Sequence, residues 1–136
     1  MVNEAVLRDV GVKTSRRYPV AGAVEIKKGT YLWQFQTASG FEVSSAWTTS
    51  AAFVGFAHAD KVATNTADTA ITADKGGMYD LFASGAIPIG TLVKAVPRNS
   101  VMAATLADIT STYARVMGVT REMAANAETI NVEVFA

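Results

Sequence analysis

His58 is the chain's single histidine, so a proton-transfer site based on imidazole would have to be built around it. A histidine acting as general base needs a carboxylate to orient it and a nucleophile within hydrogen-bond reach. Asp60 is the nearest carboxylate in sequence. In a strand it would share a face with His58, with no serine beside them. His58 therefore reads as a surface or rim residue. Asp60, Asp68, Asp74, Asp80 and Asp108 lie mostly among Thr, Ala and Gly, where aspartate serves local turn hydrogen bonding. Asp68 and Asp74 could ligate calcium together with carbonyls, but the dense Asp-x-Asp-x-Asp-Gly spacing of a calcium loop is missing. One histidine and no cysteine do not supply a zinc site. Gly76-Gly77 lacks a phosphate-cradling spacing, and Lys75 before it reads as a turn residue. Trp33 and Trp47 could make a sugar-stacking platform, although Trp33 sits in an alternating aromatic row that fits core packing better. The expectation is a protein with no catalytic residue, no cofactor and no metal, and so not an enzyme.

Composition narrows the partners. The 136 residues include 12 basic and 12 acidic side chains, a formal net charge of zero. Proteins that neutralise several phosphates cluster Lys and Arg, often with aromatic groups for stacking. The densest basic run, Lys13 to Arg17, has no such surround, so specific nucleic-acid binding is not expected. The lack of charge also removes an obstacle to association, as suits a subunit of an assembly. With no cysteine there is no disulfide framework. No apolar stretch approaches the ~18–20 residues of a membrane span, and no signal-peptide-like region opens the chain, so synthesis in a cytoplasm without export is expected.

The elements that would position these residues are short strands. Residues 1–19 carry several charges and no sustained period, and Pro19 pushes Tyr18 toward extended backbone. This stretch reads as an extended N-terminal arm, with a disordered tail as the alternative; Val6, Leu7, Val10 and Val12 favour an arm that docks. Residues 20–136 read as one β domain. Strands are expected at Val24 to Ile26, Thr30 to Gln36, Phe41 to Ser45, Ala52 to Ala57, Leu92 to Val96, Val116 to Thr120 and Thr129 to Phe135. Ile71 to Ala73 and Met78 to Phe82 flank Lys75-Gly76-Gly77 as a hairpin. Met102, Leu106, Ile109, Tyr113 and Val116 follow a helical period, but Thr105, Thr110, Ser111 and Thr112 are poor helix formers.

An internal echo bears on that ambiguity. Ala21-Gly22-Ala23-Val24 with Gly29-Thr30-Tyr31-Leu32 resembles Ser84-Gly85-Ala86-Ile87 with Gly90-Thr91-Leu92. Gly22 and Gly85 lie 63 positions apart, as do Gly55 and Gly118, and the same offset carries Thr48-Thr49 onto Ser111-Thr112. Chance matching of small residues is the alternative. Two similar β-rich halves would make Tyr113 to Thr120 a strand, with at most a short helix before it. Glycines within strands mark bulges or close backbone approach, which would curl each half. The fold class is all-β, a small β-barrel or β-sandwich of two similar halves.

The strings Val20-Ala21-Gly22-Ala23-Val24, Lys28-Gly29-Thr30-Tyr31-Leu32 and Phe53-Val54-Gly55-Phe56-Ala57 resemble the head decoration (capsid cement) proteins of tailed bacteriophages. Gly85-Ala86-Ile87-Pro88-Ile89-Gly90-Thr91-Leu92-Val93, Val116-Met117-Gly118-Val119-Thr120 and the closing strand fit the same plan, so the resemblance spans about Val20 to Phe135. The Thr/Ala-rich stretch Ser100 to Thr112 departs from it. The resemblance implies a virion protein on the outer surface of the assembled head, stabilising it against internal DNA pressure. Its partner would be the major capsid protein, and it would be a homo-oligomer, a trimer before a dimer. Val6, Leu7, Val10, Val12, Arg16, Arg17 and Tyr18 are then the candidate capsid contacts. An arm can add a strand to an exposed sheet edge, and an oligomer multiplies modest contacts. The alternatives are another virion component, in tail or baseplate, or a non-enzymatic ligand- or sugar-binding module.

Overall fold

A computed structural model describes residues 5–9, 14–38, 40–47, 51–97, 99–111 and 115–135. Its strands are β1 (Val6–Asp9), β2 (Thr14–Pro19), β3 (Tyr31–Thr37), β4 (Gly40–Ser44), β5 (Ala52–Ala57) and β6 (Ala70–Lys75), then β7 (Gly77–Ala83), β8 (Leu92–Val96), β9 (Ser100–Ala103), β10 (Val116–Thr120) and β11 (Thr129–Val134). One short helix, α1 (Leu106–Ser111), precedes β10. The protein is all-β in the barrel or sandwich sense.

The chain is built twice over. One sheet runs β2-β6-β5-β3-β4 and the other β1-β7-β11-β10-β8-β9. With β1 set aside, the second order repeats the first strand for strand. In each half the first strand returns beside the last in parallel: Val20 bridges Val43, and Phe82 and Ala83 pair with Ser100 and Val101. Each sheet thereby curls onto itself as a small barrel.

The glycines of the echo explain the curl. Leu32 pairs with Gly55 but Trp33 with Phe53, leaving Val54 as an extra residue. Val116 pairs with Lys94 but Gly118 with Val93, leaving Met117 extra in the same way. A bulge of this kind bends its strand and increases local twist. Both glycines also admit the next strand's backbone. A Cβ on Gly55 would stand 2.6 Å from the Asp74 carbonyl oxygen, and one on Gly118 would collide with the Glu133 carbonyl oxygen.

Two cores result. Val20, Ile26, Leu32, Val43, Ala57, Ile71 and Ala73 fill the first barrel. Tyr31, Trp33, Phe53 and Phe56, on the other face of that sheet, join Tyr79, Leu81, Ile87, Val93, Val101, Met117, Ile130 and Val132 of the second half. Tyr31, Leu32 and Trp33 are therefore all buried although they alternate in direction. At the junction the Phe56 and Tyr79 rings lie 4.3 Å apart. Asn99 accepts the Tyr31 amide at 2.8 Å, and the Tyr31 hydroxyl donates to the Ser100 carbonyl at 2.8 Å.

Four expectations need correction or refinement. Ile71 to Ala73 and Met78 to Phe82 do not form a hairpin, since β6 and β7 belong to different sheets. Only Gly76 separates these strands, one residue short of the tightest common hairpin loop. Gly76 and Gly77 take φ of 96° and 101°, which turns the chain from one barrel into the next. Val24 to Ile26 is not a strand; Ile26 makes a single bridge to Lys61. Thr105, counted against a helix, in fact starts one: its hydroxyl accepts the Asp108 amide while the Asp108 carboxylate accepts the Thr105 amide. Of residues 1–19, those described are extended, and they supply an edge strand to each sheet, β1 on β7 and β2 on β6.

Candidate functional site

The candidate contact residues Arg16, Arg17 and Tyr18 come together on β2, an end strand of its sheet. Pro19 sets which way this strand's backbone groups face. A proline has no amide to give the ladder, so opposite Ala70 it must occupy a position whose partner does not exchange bonds with it. The Val20 amide accordingly donates to the Thr69 carbonyl at 3.0 Å. Alternation then turns the amides and carbonyls of Tyr18, Arg16 and Thr14 toward β6, and those of Arg17 and Ser15 away from it. Among the described residues, no strand pairs with that outer edge along Thr14 to Tyr18.

Beside this edge, Arg16 and Lys75 lie on one face, while Arg17 on the other face shares its surroundings with His58, Asp60 and Asp68. Thr14, Arg16, Tyr18, Phe53, Val54, Ala73 and Lys75 line a cleft of about 300 Å³. Arg16 and Arg17 are exposed and Tyr18 is half-buried, its ring edge-on to Phe41 at 6.5 Å. Burial lowers the Lys75 pKa below the ordinary lysine value, and the neighbouring Arg16 charge adds to the shift. The Lys75 ammonium lies 5.7 Å from the Phe53 ring centre. A basic rim over a partly apolar floor is suited to carboxylates on an extended chain.

His58 meets a carboxylate, but Asp74 and not Asp60. Its Nδ1 lies 2.6 Å from Asp74 Oδ2, and Ser15 Oγ donates to Asp74 Oδ1 at 2.6 Å. Asp60 accepts the Lys28 amide instead. The hydroxyl thus bonds to the carboxylate and not to the imidazole, whereas a serine nucleophile needs its base on the hydroxyl. The second half shows what this arrangement does. There the Arg121 guanidinium pairs with Glu133 at 2.9 Å. The main chain matches as well: the His58 amide donates to Thr72 and the Arg121 amide to Asn131. Both pairs tie the chain just after the bulged strand to the strand beside it. Asp74 is buried and its charge also bears on Tyr79, whose pKa is pushed up to about 12, first by burial and then by that carboxylate.

The remaining sequence candidates scatter. Val6 and Leu7 lie on β1, paired through their backbones with Asp80 and Tyr79 of β7. Val10 and Val12 fall outside the described residues. Trp33 is 1% exposed, so it offers no face to a sugar, and Trp47 carries the Arg115 guanidinium 4.9 Å above its ring. Among the described residues no cluster of His, Asp and Glu could hold a metal ion. Lys61 was not singled out from the sequence. It is buried, and its ammonium donates to the Gly22 carbonyl at 2.6 Å and the Val24 carbonyl at 3.4 Å.

No protein-family model matches the chain, and no curated protein matches it in sequence. Among solved structures, its fold is similar to that of the head fiber gp8.5 N base of bacteriophage phi29, with a TM-score of 0.51 and 12% identity over 91% of this chain and 95% of that one. At that identity the likeness is one of fold.

Proposed function

We propose that this protein is a structural component of a phage head, a decoration protein that binds the outer surface of the assembled shell and stiffens it against internal DNA pressure. The observation that carries the reading is the fold, shared along nearly the whole chain with the base of a phage head fiber. The decoration role extends that likeness through the sequence strings around Gly22, Gly55, Gly85 and Gly118. Physical features support it. A doubled barrel with two buried cores is a rigid body that loses little conformational entropy on docking. Its exposed features include a strand edge flanked by Arg16 and Arg17. The partner in this reading is the major capsid protein, and a trimer or dimer would multiply modest contacts by effective concentration.

The test is sedimentation of the purified protein with expanded, DNA-free shells of the phage that encodes it. Saturable pelleting at a fixed ratio to the capsid subunits is expected, together with greater resistance of the shells to heat. Protein that stays in the supernatant at every shell concentration would overturn the reading. Pelleting with isolated tails but not with heads would move it to the tail.

A further inference from the structure

Ser15 and Arg17 of β2 occupy the same places in the first half that Met78 and Asp80 of β7 occupy in the second. The offset that relates Val20 to Ala83 and Gly22 to Gly85 carries one pair onto the other. The hydrogen bonding agrees, since the Ala83 amide donates to the Glu128 carbonyl as the Val20 amide donates to that of Thr69. Met78 and Asp80 therefore also turn their backbone groups outward, and there β1 takes them: Val6 pairs with Asp80 and Asp9 with Met78, antiparallel. One barrel has its seam extended by an added strand. In the other, among the described residues, the equivalent edge is open.

We propose that the edge of β2 at Ser15 and Arg17 accepts an extended acidic segment of the protein this chain coats, in the place that β1 takes on β7. Donors and acceptors on an unpaired edge are a template for strand addition, which supplies affinity through the backbone and selectivity through flanking side chains. Residues directly opposite in an antiparallel pair share a face. A carboxylate opposite Arg16 would reach the cleft with Arg16 and Lys75, and one opposite Arg17 would meet that guanidinium on the other face. Carboxylates are favoured over cations at those two positions because each of them faces an arginine. The identity of the donor rests on the proposed head-surface function; the strand-accepting edge does not.

The experiment uses the full chain and a synthetic peptide, acetyl-Thr-Val-Glu-Glu-Val-Thr-amide, with its Lys-Lys counterpart as control. Amide exchange at Ser15 and Arg17 should slow by about tenfold or more with saturating acidic peptide. The Lys-Lys peptide should give no such protection. Arg17→Pro removes an outward amide that the fold does not use, repeating the orientation of Pro19, and should abolish protection while leaving the circular dichroism unchanged. If that variant does not fold, Arg16→Glu serves in its place and should reverse the preference between the two peptides. Unchanged exchange at Ser15 and Arg17 with the acidic peptide overturns the proposal. So does protection that depends on protein concentration without peptide, which would make a second copy the occupant. Shell binding separates the two readings: wild-type protein that ignores shells but binds the peptide fails the function and keeps the edge. Shell binding undiminished in Arg17→Pro, with no peptide effect, keeps the function and removes the edge.

Discussion

Lys61 in the first half and Ala124 in the second stand opposite Ile26 and Ile87 in matching backbone bridges, yet one is a buried cation and the other a methyl group. His58 with Asp74 stands where Arg121 with Glu133 stands, and the edge of β2, which no described strand covers, where the covered edge of β7 stands. What the halves share is backbone geometry: strand order, bulge, closing bridge. What differs is side-chain chemistry laid over it. Topology is thus fixed by a few steric positions, leaving the polar positions free to diverge toward separate tasks.

The steric positions should be the least forgiving. Gly118→Val would drive a side chain into the Glu133 carbonyl, and Gly55→Val adds to a like collision the strain of φ 142°. Each should lose about 3 kcal/mol or more, because backbone cannot move aside as a side chain can. Urea unfolding would measure it, and a loss under 1 kcal/mol (about a fifth of ordinary domain stability) at either site would break the equivalence of the bulges. Next comes the junction between halves. Asn99, at φ 57°, accepts the Tyr31 amide and donates to the Gly29 carbonyl at 3.4 Å. Asn99→Ala should destabilise by about 2–3 kcal/mol by leaving buried groups without their partner. Alkali should act at the same junction. The folded pKa of Tyr79 lies near 12, above the unfolded value near 10, so stability present below pH 10 is lost as pH rises toward 12. Tyr79→Phe should flatten that part of the stability profile.

Much of the shared geometry was legible in the sequence, because its carriers are residue types with few other uses. Gly55 and Gly118, with the offset between them, announced two curled halves. Leu92 to Val96 and the closing strand were readable from the local strand pattern, whereas Val116 to Thr120 needed the echo to decide between strand and helix. The hairpin at Gly76 was misread because a turn signal says that the chain reverses or crosses, not which; the answer depends on which strands lie near after folding. Asp74 was missed as the partner of His58 since strand pairing, not sequence distance, joins them. Nothing in the residues next to Lys61 marks it as buried. Its echo onto Ala124 was the one available hint that the position faces inward.

That hint can be tested by making the halves alike. Lys61→Ala copies the second half into the first. It should still destabilise by about 2 kcal/mol, since the Gly22 and Val24 carbonyls lose a charged donor and the stem's packing goes with it. A neutral result would mean that water replaces the ammonium, and that Lys61 is a surface residue in effect.

The smallest difference expected is between the two charged pairs, and it is the sharpest test of what His58 is for. Arg121 and Glu133 are both about half exposed, so Arg121→Ala should lose no more than about 0.5 kcal/mol, as surface pairs do. Asp74 is buried, with His58 and Ser15 on its two oxygens. His58→Ala leaves one of those oxygens without its partner and should lose about 1 kcal/mol, with Ser15→Ala close to it. If both pairs are clasps, the double variant His58→Ala with Arg121→Ala should lose the sum of the singles, because each pair lies within its own barrel and the two share no partner. A strongly non-additive result would mean that the clasps communicate through the common core. A His58→Ala variant as stable as wild type but altered in what it binds would give that histidine a task the second half does not have.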